Sequence, residues 1–367
     1  MKKILFLVQL PPPVHGASNV NASIRDSHYI NSKIDAKFVN ISPARGMTDI
    51  GKLSISKILA TLHIFLKCIL QYQKFAPNLV YITLSPHGLG FWKDALILQV
   101  LKIFGAKAVI HLHGKGINSE VSRSKVKRYI YQIIFKDVNV IHLSKSLFND
   151  IDLVFDKKMS LTAVNNGVEN HGANEHSRLE VPIFLYLSNL VPTKGADTLV
   201  DAINLLDDAY EGRFKVRFVG KISNQRFYTE LVSKVDERFK RSVEFTGPLY
   251  GEEKLEAFKN SDVFVLPTKN DCFPLSILEA MSFSLPVLST YEGAIPDIID
   301  DNINGWLFES CDANELASKL ANYIDNPGLI TCHGHRANLK YKEKYTLEAF
   351  EKSFLTALIG VMNHSEI

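Results

Sequence analysis

The stretch Asp262–Thr290 reads DVFVLPTKNDCFPLSILEAMSFSLPVLST. Its apolar run Val263–Leu266 predicts a strand, Thr268–Cys272 a polar loop, a helix opens near Pro274, and Pro286–Ser289 predicts a second strand. Strand, loop, helix and strand in that order form the repeating unit of a parallel sheet with crossover helices. Proline suits the first helical position, which places the helix start. The unpaired N–H groups of that first turn can receive an anion. Two carboxylates flank this end, Asp271 before it and Glu279 eight residues on. Two acids near a helix N-terminus are also what a favourable helix dipole alone would select.

Outward from this stretch the same alternation runs along the chain. Strands are expected at Lys3–Val8, Leu79–Leu84, Lys107–Leu112, Asn139–Leu143 and Leu161–Val164, with helices at Ser54–Lys74, Phe91–Phe104 and Lys125–Lys136. Glu169–Glu180 is polar and aperiodic, the composition of a linker. The pattern then restarts, with strands at Pro182–Leu187, Phe214–Val219 and Val243–Phe245 and helices at Asp197–Leu206 and Glu252–Asn260. Asn314–Ile324 and Leu329–Leu358 close the chain as polar-faced helices. The expected fold class is α/β, two doubly wound domains with a cleft between them. Their expected extents are 1–175 and 176–345, with 346–367 a last helix returning to the first domain.

At 367 residues, 46 % hydrophobic and 22 % charged, the chain has the length and balance of a two-domain globular protein. Cys68, Cys272, Cys311 and Cys332 are scattered without a C-x-x-C pair, which points away from zinc or a disulfide framework and toward a reducing, cytoplasmic setting. The apolar run after Met1 is short and is followed at once by Pro11, Pro12 and Pro13, so it reads as a buried strand rather than a leader. Ile55–Leu70 is interrupted by Lys57, His63 and Lys67, too polar to span a bilayer. Up to Arg178 there are 23 Lys+Arg against 11 Asp+Glu; after it, 19 against 28. A basic half joined to an acidic half suggests an anionic partner for the first, or simply solvated faces of unlike charge. The basic residues are not interleaved with aromatics in a nucleic-acid motif, so no nucleic-acid partner is expected.

Other candidate residues lie at the carboxyl ends of strands, where open α/β sheets hold ligands. Gly16, after Lys3–Val8, would let a backbone approach a phosphate. His111 and His113 share one side of their strand, and a histidine there can donate to a sugar hydroxyl or a developing charge. Lys194, before Gly195 at a helix start, could reach an anion held by that helix. A turn glycine, structural histidines and an exposed lysine are the ordinary alternatives at these positions. No G-x-x-x-x-G-K-[ST], H-E-x-x-H, G-x-S-x-G or strand-linked G-x-G-x-x-G occurs, which removes the chemistries those motifs carry.

Together these residues make the whole chain resemble the retaining glycosyltransferases of the GT4 family, which have the GT-B fold of two facing Rossmann-like domains. The family pattern E-x-F-G-x-x-x-x-E-A-M reads here Asp271-Cys-Phe-Pro-Leu-Ser-Ile-Leu-Glu279-Ala-Met281. Val265–Thr268, LPVLST, Gly293–Asp297 and Asn304-Gly305 follow in family order. Ser188-Asn-Leu-Val-Pro-Thr-Lys-Gly195 is similar to the family's G-R-L-x-x-x-K-G, and Val164–Val168 and His113-Gly114 also match.

The resemblance implies a nucleotide-sugar donor and a saccharide or lipid-linked saccharide acceptor in cell-surface polysaccharide synthesis. Glu279 would accept from the ribose hydroxyls, Lys194 would neutralise the diphosphate, and Gly16 would close over it. Leu275 and Ser276 would offer backbone N–H groups. Asp271 and His113 would meet the sugar in front-face transfer, with no protein nucleophile, no cofactor and no metal ion. Three positions depart from the pattern and bear on the donor site: Asp271 is a methylene shorter than glutamate, Asn189 stands where an arginine is usual, and Phe273-Pro274 replaces Phe-Gly, losing an N–H. The basic helices suggest that the first domain docks peripherally on an anionic membrane face, the inner face of the plasma membrane. A nucleotide-sugar epimerase of the same fold and a non-catalytic sugar-nucleotide-binding protein are the alternatives; acceptor-dependent release of nucleoside diphosphate distinguishes a transferase from both.

Overall fold

The structure is a computed structural model and describes residues 1–43, 55–172 and 181–363. It divides into two compact units: unit 1 is residues 1–167 with 348–367, and unit 2 is residues 168–347. Both are doubly wound α/β arrangements around an all-parallel six-stranded sheet.

In unit 1 the strands are β1 (Lys3–Val8), β2 (Asp35–Asn40), β3 (Leu79–Thr83), β4 (Ala108–Leu112), β5 (Asn139–His142) and β6 (Leu161–Ala163), in the order β2-β1-β3-β4-β5-β6. Around them run α1 (Gly16–Asp26), α2 (His28–Asn31), α3 (Ile55–Phe75), α4 (Gly88–Ile103), α5 (Ile117–Ser122) and α6 (Lys125–Phe135). Unbroken apolar runs such as Ile4–Val8 are buried throughout, as strands covered on both faces require. On one side Leu5, Ile82 and Ile110 share a core with Cys68 of α3, Leu98 of α4 and Ile134 of α6. On the other, Tyr81 meets Phe354 edge-on, with ring centroids 5.3 Å apart.

Unit 2 carries β7 (Ile183–Leu187), β8 (Lys215–Val219), β9 (Val243–Gly247), β10 (Val263–Leu266), β11 (Val287–Thr290) and β12 (Gly305–Phe308), in the order β12-β11-β10-β7-β8-β9. Its helices are α7 (Ala196–Asn204), α8 (Gln225–Lys234), α9 (Gly251–Lys259), α10 (Leu275–Ser282), α11 (Ile295–Ile298), α12 (Ala313–Asp325) and α13 (Pro327–Lys344). The chain then returns to unit 1 as α14 (Leu347–Asn363).

Several expectations are corrected. The single helix expected over Leu329–Leu358 is two, α13 and α14, broken at Tyr345–Thr346. Val168 enters that break: its N–H donates to Tyr345 O (3.0 Å), and Leu347 N–H donates to Val168 O (2.9 Å). This pairing brings the division between units to Gly167/Val168, ahead of the expected 175/176. His171, inside the expected linker, stacks on Phe283 of unit 2 at 5.4 Å. Residues 173–180 of that linker, the expected helix start at Ser54, and 364–367 lie outside the described residues. Gly16 is not in a loop but opens α1, whose N-cap is His15. Pro274 is the N-cap of α10 in extended conformation rather than its first helical residue.

Candidate functional site

The strand order of unit 2 reverses between β7 and β10, and the loops leaving these neighbours diverge, the place where doubly wound sheets hold ligands. The loops are packed against one another through glycine. Gly195 has φ +73°, and a Cβ there would lie 1.8 Å from Pro267 O. A Cβ on Gly220, after β8, would lie 1.8 Å from Ser188 O. Only residues without a side chain let these loop backbones come so close.

Lys194 and Asp271 meet across this junction as an ion pair, each about three-quarters or more buried. Lys194 Nζ is also 3.4 Å from Asn270 O. The other carboxylate oxygen of Asp271 accepts from Cys272 N–H at 3.0 Å, and Asp271 N–H donates to Glu292 (3.3 Å). The short side chain of Asp271 is therefore fastened at both oxygens to its own loop and to Lys194. Behind it the first-turn N–H groups of α10, at Leu275 and Ser276, have no i−4 carbonyl within the helix. Phe273 is buried with its ring edge-on to Tyr345 (6.1 Å). Asn189 is exposed after β7.

Glu279 lies further along α10 and is held by a residue that sequence reasoning did not single out. Lys254 Nζ, from α9, contacts both its oxygens, at 2.6 and 2.7 Å. The carboxylate is thus fixed with two oxygens turned one way, in a half-buried setting. A third pair, Lys269 with Asp197 at 2.6 Å, completes a rim of paired charges. Such an arrangement can hold a diol against Glu279 and an anion against Lys194 and the α10 N-terminus.

In unit 1 the carboxyl ends of β4 and β5 hold histidines. The His111 and His113 rings are 4.1 Å apart. Tyr81 Oη and His111 Nδ1 are 2.5 Å apart. Burial, then the neighbouring His142 and His15, pushes His113 down to about 3, and burial pushes His142 down to about 4. These rings are neutral near pH 7. Leu143 N–H donates to His142 Nδ1 at 2.8 Å, which leaves the ring proton on Nε2. Among the described residues His111 Nε2, His142 Nε2 and both ring nitrogens of His113 are buried without a partner. His113 can therefore donate one hydrogen bond and accept another, and does so uncharged. Gly16 stands beside His15, and a Cβ on it would meet nothing within 4 Å, so nothing in the polypeptide demands glycine there.

The structure brings Lys194 to Asp271 and His113 to His111, and gives Glu279 a partner of its own. Sequence reading missed Lys254, His142 and His15: the Lys254 contact spans 25 residues with no spacing signal, and His142 ends a strand without a glycine to mark it. Among the described residues no group of three or more His, Cys, Asp or Glu side chains is placed to hold a metal ion.

The model of the family described as glycosyl transferases group 1 matches residues 169–345. The chain is 28 % identical over 250 residues to the poly(ribitol-phosphate) alpha-N-acetylglucosaminyltransferase of Staphylococcus aureus (strain COL), covering 67 % of this chain and 49 % of that protein. It is 25 % identical over 245 residues to the amylovoran biosynthesis glycosyltransferase AmsK of Erwinia amylovora, covering 61 % and 56 %. The chain thus spans about half the length of these curated relatives. The crystal structure of Anabaena Alr3699/HepE in complex with UDP-glucose shares the fold, with TM-score 0.74 and 17 % identity over 98 % of this chain and 100 % of that one. The two parallel sheets are those of the GT-B class. Residues 169–345 of this chain are thus similar to the glycosyl transferases of group 1.

Proposed function

We propose that this protein moves a sugar, with retention of configuration, from a nucleotide-diphosphate sugar to a saccharide or lipid-linked saccharide acceptor in the assembly of a cell-surface polysaccharide. The observation that carries the reading is the set of ion pairs at the β7/β10 reversal: Lys194 with Asp271, and Lys254 with Glu279. Glu279 accepts from the two ribose hydroxyls. Lys194 and the N–H groups of Leu275 and Ser276 bind the diphosphate and stabilise it as it leaves. Asp271 meets the donor sugar; Lys254 is a positioning residue that holds Glu279. In unit 1 neutral His113 hydrogen-bonds the sugar, and Gly16 leaves room for the phosphates. The acceptor oxygen forms its bond to the anomeric carbon as the carbon–diphosphate bond breaks, and the departing phosphate oxygen takes the acceptor's proton. No protein nucleophile and no metal ion enter this scheme.

Two relatives named for sugar transfer, one for poly(ribitol-phosphate) and one for amylovoran, support a polysaccharide setting. The UDP-glucose complex of Anabaena Alr3699/HepE supports a uridine donor. The test is a thermal-shift panel of UDP-, GDP-, ADP- and CMP-sugars, followed by an assay of nucleoside diphosphate release with and without saccharide acceptors. A bound ligand at a hundred times its Kd adds about 2.7 kcal/mol to stability. No shift with any of the four would overturn the reading; release that does not depend on acceptor would point to an epimerase.

A further inference from the structure

Three neighbouring helices of unit 1 turn an apolar outer surface to solvent. α3 and α4 touch through Tyr72 Oη, which donates to Phe104 O (3.3 Å), and α4 and α6 through Gln99 Nε2, which donates to Ile134 O (3.3 Å). Their inward residues share one core with the sheet. A helix that has given one stripe to a core ordinarily carries polar residues on the opposite stripe. α3 departs from this. Leu59, Leu62, Leu66 and Leu70 recur every three or four residues and are 52–62 % exposed. Leu96 on α4 and Tyr129 on α6 carry the exposed apolar surface across the neighbouring helices. An apolar surface of this breadth is uncommon on a protein that meets only water.

The charges on the same helices have one sign. No Asp or Glu occurs in Ile55–Phe75 or in Lys125–Phe135. The one acid of α4, Asp94, is fully buried and held by Lys93 and by the N–H and hydroxyl of Ser85. Lys67, Lys74 and Lys125 are exposed, and Lys127 is shared with Glu120 of α5. Leucines set among cations, with no exposed acid on these three helices, suit a surface that is apolar just below a layer of phosphates. A second copy of the same face would set cation against cation. Among the described residues no helix is long and apolar enough to cross a membrane, so the contact is one of lying on the surface.

We infer that the outer face of α3, α4 and α6 docks on a bilayer bearing anionic headgroups, its leucines entering the headgroup–acyl boundary and its lysines meeting headgroup phosphates. This gives the peripheral contact suggested by the basic helices a defined face, and adds α4 to it. The surface is separate from the groups assigned to the donor, so the inference stands or falls independently of sugar transfer.

The test is sedimentation of the full chain with phosphatidylcholine vesicles and with vesicles also containing phosphatidylglycerol. The protein is expected to sediment with the second kind only, and to be released as salt rises. Replacing Lys74 and Lys125 by Gln should weaken partitioning about five-fold for each lysine. Leu66→Ser with Leu70→Ser should weaken it about ten-fold or more, at unchanged circular-dichroism melting. Recovery in the supernatant with both vesicle kinds, or sedimentation indifferent to these variants, overturns the inference. So does light scattering that finds a dimer which the leucine variant converts to monomer, because the face would then belong to a second copy.

Discussion

The carboxyl-end edges of the two sheets use opposite electrostatic means. In unit 2 the edge is lined by full charges in pairs, Lys194 with Asp271, Lys254 with Glu279 and Lys269 with Asp197, all partly open to solvent. In unit 1 it is lined by imidazoles held neutral by burial, with ring nitrogens lacking partners. Paired charges at partial exposure can exchange one partner for another at modest cost, which suits a ligand with phosphates and hydroxyls. A buried neutral ring offers direction rather than charge, and suits a hydroxyl that must be aimed. The two units share an architecture; the side chains at strand ends give their edges different chemical uses.

The comparison can be broken or sharpened by experiment, from the largest effect down. Glu279→Ala is expected to lower kcat/KM for the donor by about a hundred-fold or more, near 3 kcal/mol, since it removes a charged acceptor and strands Lys254. An unchanged kcat/KM would break the assignment of unit 2's edge to the donor. Gly195→Ala should destabilise unit 2 by about 2–3 kcal/mol in urea unfolding, because its Cβ would collide with Pro267 O at positive φ.

Acidification should act chiefly on unit 1. His113 and His142 titrate at about 3 and about 4 when folded but at 6.5 when unfolded. The unfolded chain therefore binds more protons in that window, and stability present above pH 6.5 is lost as pH falls toward 4. From pH 7 to pH 5 each ring is expected to withdraw about 1–2 kcal/mol. Hydrogen exchange followed at both pH values reads the two units separately; equal loss in both would break the contrast. Burial moves His333 of unit 2 in the same direction, so some loss there is expected.

Lys254→Met should raise the donor KM about ten-fold with little change in kcat. It should also shrink the preference for a ribose donor over its 2′-deoxy analogue, which a merely structural lysine would leave intact. The smallest expected effect is that of EDTA, which should leave transfer unchanged; restoration by a divalent ion after a loss would show that a cation belongs in the scheme.

Continuous apolar runs carried most of the fold in the sequence. Lys3–Val8 and Val263–Leu266 read as strands with the limits the structure has, because strands buried on both faces leave no polar residue to confuse the period. β2 escaped notice because DAKFVN is an edge strand of mixed burial, and β12 because GWLF is short and opens on glycine. The break between α13 and α14 was invisible because both sides are helical and Val168, which pairs into it, lies far away in sequence. For the site, Asp271, Glu279 and Lys194 stand in ordered patterns beside turns and could be read. Lys254 sits on a helix among acids, GEEKLEAFK, where a surface lysine is ordinary; only the fold brings it to Glu279.

The return of the chain as α14 has a consequence for synthesis. Unit 2 is one unbroken stretch and can complete its contacts once Leu347 is free of the ribosome. Unit 1 is made first, yet the ring of Phe354, which packs on Tyr81 and His111, arrives only with α14. The half begun earliest is finished last, and until then it holds an uncovered sheet face beside nascent chain. A stall or truncation late in translation would leave unit 2 intact and damage unit 1.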